Sequence, residues 1–150
     1  MNKDRASEAF EIMFNRKMNC AQAVLSSFCK EYGLAENQAL RLAQGFGGGM
    51  AHTGRTCGAV SSAYLVLGLA QKTASENPRE NIDKTYALMA EFDKKFQALH
   101  GSLTCTELVG YDLSVPEEAA EAREKQVFTT KCPNFVRDAV KIVESLLKPG

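Results

Sequence analysis

Apolar residues recur at every third or fourth position along almost the whole chain, and that rhythm excludes most folds other than packed helices. Ala6, Phe10, Met13 and Phe14 share one stripe within residues 5–16. After Asn19, a residue suited to cap a helix, Ala21, Val24, Leu25, Phe28 and Tyr32 repeat the pattern until Gly33 stops it. A shorter helix is expected from about Glu36 to Gln44. Residues 57–71, with Val60, Tyr64, Leu65, Val66 and Leu67, read as a buried helix, with a strand as the alternative because a short apolar run is ambiguous. A linker over residues 72–79, including Pro78, leads to a long amphipathic helix over 79–99. That helix places Ile82, Tyr86, Met89, Phe92 and Phe96 on its inner side and closes at His100 and Gly101. Ser102 begins a shorter helix, residues 107–116 form a helix end and a loop, and Glu117 and Glu118 open further turns. Pro133 suits the start of a last helix carrying Phe135, Val136, Val140, Ile142, Val143 and Leu146. No hairpin signal, repeat or low-complexity tract interrupts the series. The expectation is one all-α domain over residues 1–150, a compact bundle of about six or seven helices.

One segment breaks the rhythm. Residues 45–58 hold six of the chain's eleven glycines, too many for a helix interior, and predict a loop of unusual backbone geometry. No Gly-Lys-Ser/Thr follows it and no strand precedes it, so it is neither a phosphate-binding loop nor a dinucleotide fingerprint. The chain also lacks the Glu-x-x-His pairs of a di-iron bundle and the His-Glu-x-x-His of a metalloprotease.

A chain of 150 residues, 45% hydrophobic, can bury roughly 70% of its unfolded surface and needs no disulfide or metal merely to fold. Its five cysteines therefore need another explanation. The 18 basic and 18 acidic residues cancel, leaving no basic surplus for nucleic acid or an anionic membrane. The first residues lack the apolar run of roughly 7–15 residues of a secretory signal, and Ala63 to Ala70 is less than half a span of about 20. A cytoplasmic protein is expected, and there thiols stay reduced.

Cys20 follows Asn19, Cys57 follows the glycines, Cys105 lies just after Ser102, and Cys132 precedes Pro133 as a candidate N-cap. All four thus fall at helix starts, where free N–H groups and the helix dipole lower a thiol pKa. Cys29 is placed in mid-helix, half a revolution from Cys20, as a core residue. The four lie far apart in sequence, with no Cys-x-x-Cys and no Cys-x-x-Cys-His, which excludes a zinc ribbon, a thioredoxin motif, a ferredoxin run and haem attachment. A shared site must be assembled in space from separate helices. His52 is a candidate base or metal ligand and Arg55 a candidate thiol activator, each weighed against a solvated loop position; His100 reads as a helix-terminal cation, and Met50 and Tyr64 as packing residues.

Four blocks in order carry a family resemblance: Asn19-Cys20-Ala21-Gln22-Ala23-Val24, Phe46-Gly47-Gly48-Gly49-Met50, Thr56-Cys57-Gly58-Ala59-Val60, and Cys105-Thr106-Glu107-Leu108-Val109-Gly110-Tyr111-Asp112. From about Asn19 to Cys132 the chain resembles the C_GCAxxG_C_C family of redox-active proteins. The resemblance implies a redox role, with Cys20, Cys57, Cys105 and Cys132 as the characteristic cysteines and Cys29 left out. It departs from the family at Ser62, where a glycine is usual; a small residue keeps helices close, so the expected consequence is modest. A similar cysteine domain is associated with an iron–sulfur site in a multihaem cytochrome.

Three readings remain open at this point. In the first, an oxidoreductase or electron-transfer protein works by thiol–disulfide exchange, with Gly47, Gly48, Gly49 and Gly58 as the binding loop that lets a partner or cofactor approach the sulfurs. In the second, the four thiolates hold an iron–sulfur cluster or Zn²⁺. In the third, the chain is a helical interaction module whose cysteines pack. A redox partner or electron donor, and self-association into a homo-oligomer, are compatible with all three.

Overall fold

The computed structural model describes residues 4–71 and 77–148. Most of the expected linker, residues 72–76, lies outside them. The described chain is helical: α1 (Arg5–Phe14), α2 (Cys20–Phe28), α3 (Glu36–Ala43), a 3₁₀ turn (Gln44–Phe46), α4 (Gly47–Met50), α5 (Gly58–Ala70), α6 (Pro78–His100), α7 (Cys105–Val109), α8 (Pro116–Glu124), α9 (Val127–Thr130) and α10 (Cys132–Leu147). Eight of these have five residues or more, against about six or seven expected. Residues 57–71 are helix, and the fold is all-α.

The apolar stripes meet where the periodicity predicts. α10 lies against α1, α2, α5 and α6, and α2 against α5. Ala6, Ala9, Ala21, Ala23, Ala59, Ala63 and Ala139 are fully buried along these seams, and their short side chains let the helices approach. Phe28, Leu25, Leu67, Val136, Val140 and Val143 fill the remaining volume, so the buried residues form one contiguous core. Ser62 is buried in it, and its hydroxyl donates to the Ala21 carbonyl at 2.6 Å, tying α5 to α2.

α6 departs from expectation. Phe92 and Phe96 are buried, and Met89 is half-buried, but Ile82 and Tyr86 are 40% and 62% exposed. The helix is 23 residues long against 13 in α5, so its first turns outrun the surface that could cover them. Tyr64 of α5 donates to the Asp93 carboxylate of α6, and His100 bonds Asp138 of α10 at 2.9 Å between the rings of Phe96 and Phe135.

The glycine segment is the most unusual backbone in the chain. Gly48, Gly49, Met50, Ala51 and His52 all have φ between 55° and 71°, a left-handed turn that L-residues rarely enter. The turn is closed by His52 N–H to Gly47 O (3.2 Å), Gly54 N–H to Gly48 O (3.2 Å) and Arg55 N–H to Gly49 O (2.9 Å). Left-handed geometry costs about 1–2 kcal/mol at each residue with a Cβ. Ala51 occupies it at φ 55°, ψ 49°. Ala51→Gly is therefore expected to stabilise the protein by about 0.5–1 kcal/mol, the relieved strain less the added freedom of the unfolded chain. Urea unfolding at constant m-value checks it; no gain in midpoint would show that the turn is unstrained at this residue.

Candidate functional site

Each of the four cysteines is delivered by a local device. Asn19 and Gln22 form a reciprocal capping box, Asn19 accepting from Gln22 N–H at 2.9 Å and Gln22 from Asn19 N–H at 3.1 Å, which sets Cys20 as the first residue of α2. The free ends of both amides then reach outward, Asn19 to Gln44 O (3.0 Å) and Gln22 to Leu40 O (2.9 Å), pinning α2 to α3 and the 3₁₀ turn. Cys57 and Cys105 are brought together by a short antiparallel pairing at Thr56 and Thr104: Cys57 N–H donates to Leu103 O at 2.8 Å and Cys105 N–H to Arg55 O at 2.6 Å. Cys132 opens α10, with Pro133 behind it. All four sulfur-bearing residues are buried, and all four line one cavity of about 170 Å³.

The glycines make room at the site. A Cβ on Gly58 would stand 2.5 Å from Cys20 Sγ, and one on Gly49 would stand 2.6 Å from both the Cys105 Cβ and the Arg55 nitrogen. At Gly47 it would meet the Asn19 amide at 2.7 Å. Gly47, Gly48 and Gly58 also line the cavity.

Cys20 and Cys57 are neighbours in this cavity, the Cys20 sulfur standing against Gly58, the residue after Cys57. The hydrogen bond from the Cys57 thiol, aided by the backbone N–H groups of Gly48, Ala21 and Cys20 itself, outweighs burial and lowers the Cys20 pKa to about 7. Its partner moves the opposite way: Cys57 is pushed well above the ordinary thiol value, first because it is the donor to Cys20 and then by burial. Burial pushes Cys105 up to about 12, with the Cys20 charge adding to it. It also raises Cys132 strongly, beside the charges of Cys20 and Cys105, with Arg16 and Lys131 opposing. The expectation of four acidic thiols at helix starts is thus corrected to one. Desolvation dominates at Cys105 and Cys132, whereas at Cys57 the proton donated to Cys20 comes first and desolvation adds to it.

The family model described as "Putative redox-active protein (C_GCAxxG_C_C)" matches residues 18–146. The chain belongs to the C_GCAxxG_C_C family. It is also 28% identical over 143 residues to a protein of Archaeoglobus fulgidus named only as uncharacterized, covering 91% of this chain and 89% of that one. No solved structure matches.

The C_GCAxxG_C_C blocks now have physical meanings. Asn-Cys-Ala-Gln is the capping box that sets Cys20, the glycine following Cys57 is the space for the Cys20 sulfur, and Gly48 and Gly49 of the glycine run begin the left-handed turn against Cys105. Other expectations need revision. Cys132 is not an N-cap, because Lys131 keeps right-handed geometry and carries α9 into α10, so no free helix terminus faces the sulfur. Cys29 sits at the end of α2 rather than its middle; it is buried, and its thiol donates to Ser26 O at 3.1 Å. Arg55 meets the site through its backbone, and the cations that act on a cysteine are Arg16 and Lys131, at Cys132. Arg16, left-handed at φ 57°, lies over the Phe128 ring at 5.4 Å, and His52 meets the same ring edge-on at 6.3 Å. These three residues line the cavity. Nothing in the sequence marked Arg16 or Phe128, since neither belongs to a motif.

A metal would require the four thiols to act together. Among the described residues no three His, Cys, Asp or Glu side chains gather as ligands of one ion, so the arrangement presents no ready site for a single Zn²⁺. The donor chemistry of four cysteines on one cavity does suit an iron–sulfur cluster, which would take them as thiolates. No described helix is long and apolar enough to cross a membrane.

These shifts fix a pH dependence. Cys20, depressed from 9.0 to about 7, favours the folded state fully above pH 9 and loses that contribution as pH falls through 7. Cys57, Cys105 and Cys132, raised above 9.0, act oppositely: above pH 9 their thiols ionise in the unfolded chain but not in the native one. The thiol contribution to stability of the reduced protein should therefore rise from pH 7 to 9 and fall beyond. Denaturant midpoints of wild type and Cys20→Ser across that range check it; a constant difference between them from pH 7 to 9 would contradict the Cys20 assignment.

Proposed function

We propose that this protein is an oxidoreductase-type dithiol that cycles with a Cys20–Cys57 disulfide, Cys20 being the nucleophile and Cys57 the resolving thiol. The observation that carries the reading is that Cys20 and Cys57 line one cavity, with the glycine after Cys57 leaving the space in which the Cys20 sulfur stands, so that one thiol is acidified and the other held protonated. A thiolate is the reactive form, and at pH 7 a thiol of pKa about 7 is ionised roughly 50-fold more than one of 9. In exchange with a small disulfide, Cys20 attacks one sulfur and releases the other as thiolate. Cys57, after losing its proton, then attacks Cys20 and releases the second thiolate. Two electrons pass to the substrate and the pair is left as the disulfide, which an external thiol reverses by the same steps. Gly58 is what allows the two sulfurs to stand so close, and Gly48 supplies an N–H to the thiolate. A reducing compartment such as the cytoplasm suits this chemistry, since it maintains the dithiol.

Equilibration in graded dithiothreitol buffers followed by peptide mapping tests the reading. One bridge, Cys20 to Cys57, is expected, and Cys57→Ser should trap a stable mixed disulfide on Cys20. Bridges among other cysteines only, or none, would defeat it. The shared cavity supports a second reading, a cluster held by all four thiols. Anaerobic reconstitution with iron and sulfide that yields a stable coloured protein, lost on replacing Cys105 or Cys132, would put that reading in its place.

A further inference from the structure

The cavity above the sulfur pair limits what can reach it. Cys20 is 8% exposed and Cys57 5%, and the cavity that both line, about 170 Å³, is lined also by Arg16, His52 and Phe128. An apolar cavity of about 150 Å³ holds one benzene-sized molecule. Folded protein disulfides are far larger, and an exchange reaction needs three sulfurs in line with substituents on both sides. The cavity's apolar lining is Met13, Leu108, Val109, Phe128 and Phe135, beside the sulfurs and the polar Asn19 and Gln44. This is space for a short hydrocarbon with a two-atom reactive head.

From this geometry we infer that the Cys20–Cys57 pair reduces small alkyl hydroperoxides, the hydrocarbon lying against the apolar wall and the O–O bond at the Cys20 sulfur. The inference rests on the dithiol reading and names its oxidant. The Cys20 thiolate attacks the terminal oxygen of ROOH; the O–O bond breaks, a sulfenic acid forms on Cys20, and RO⁻ leaves. The neighbouring Cys57 thiol protonates the alkoxide to ROH. The resulting Cys57 thiolate attacks the Cys20 sulfur, expels hydroxide and forms the disulfide, and hydroxide takes a proton from solvent to become water. The two sulfurs lose two electrons, and the peroxide gains them. Cys20 acidity at neutral pH and an adjacent resolving thiol are the features that this chemistry requires. The disulfide returns to the dithiol by external thiol, as in the exchange cycle.

The test uses the full chain, reduced and anaerobic, with tert-butyl hydroperoxide, hydrogen peroxide or diamide as oxidant. One equivalent of tert-butyl hydroperoxide is expected to consume two thiols per chain and to yield the Cys20–Cys57 peptide, roughly 50-fold faster than any thiol is lost from Cys20→Ser. Its rate relative to hydrogen peroxide should exceed the same ratio for free cysteine. In wild type, dimedone added with the peroxide should label Cys20, which needs no variant. If diamide closes the pair but tert-butyl hydroperoxide reacts no faster than with Cys20→Ser, the peroxide inference falls while the dithiol reading stands. Closure by neither oxidant removes both. A ratio at or below that of free cysteine removes the alkyl specificity.

Discussion

Cys57→Ala should raise the Cys20 pKa from about 7 to between about 8 and 9 and slow its alkylation at pH 7 roughly tenfold. The Cys57 hydrogen bond is the largest influence holding the Cys20 thiolate, ahead of burial and the three backbone donors. A hydrogen bond to a charged group contributes about 1.5–3 kcal/mol, and each pKa unit corresponds to about 1.36 kcal/mol. Because the other cavity cysteines are held protonated, iodoacetamide at neutral pH reports chiefly on Cys20. A pH–rate profile with peptide mapping gives the value directly. Cys57→Ser keeps a hydroxyl donor and should retain most of the acidity, which separates loss of the hydrogen bond from loss of packing. An unchanged profile in Cys57→Ala would mean that the N–H groups of Gly48, Ala21 and Cys20 suffice alone.

The largest effect on stability is expected at Gly49. Alanine there would have to hold φ near 69° and would drive its Cβ to 2.6 Å from the Arg55 nitrogen and the Cys105 Cβ, neither of which can swing away. Left-handed strain of about 1–2 kcal/mol adds to an overpacking cost of about 1–3 kcal/mol. We expect Gly49→Ala to lose about 3 kcal/mol and to lower Tm by roughly 10 °C for a domain of this size. Gly48→Ala has nearly the same φ, but its Cβ would meet only the exposed His52 ring, which can rotate. It should therefore cost about 1–2 kcal/mol. Thermal unfolding of both variants under reductant compares them. Equal losses would mean that φ alone sets the cost and that the contact with Cys105 does not.

Much of this architecture is legible in the sequence, and the misreadings have local causes. The stripes at Ala21, Val24, Leu25 and Phe28, and at Val136, Val140 and Val143, identify core faces because burial and helical period coincide there. Ile82 and Tyr86 obey the same period, but period alone carries no information on whether a neighbouring helix is long enough to cover them. Gly33 marks the end of the α2 region, yet the helix stops at Phe28, and residues 29–34 turn through Gly33 N–H to Lys30 O and Leu34 N–H to Cys29 O. Pro133 does lie in the first turn of α10, but Lys131 stays right-handed between α9 and α10, so Cys132 is the first helical residue rather than the N-cap. At the site, the four cysteine positions are readable, whereas the division of acidity among them is not. That division depends on which sulfur receives a neighbour's proton and which backbone donors face it, and both are set by long-range packing.

The donors that gather on Cys20 also set the direction in which the proposed couple leans. Hydrogen bonds from Gly48, Ala21 and Cys57 are available to a negatively charged sulfur and lose most of their strength once that sulfur is in a neutral disulfide. They therefore stabilise the reduced state selectively and raise the reduction potential of the couple. A disulfide formed at this position is a good oxidant, readily reopened by cellular thiols, so the left-handed turn that aims the Gly48 N–H favours rapid return to the dithiol over long storage of the oxidised form.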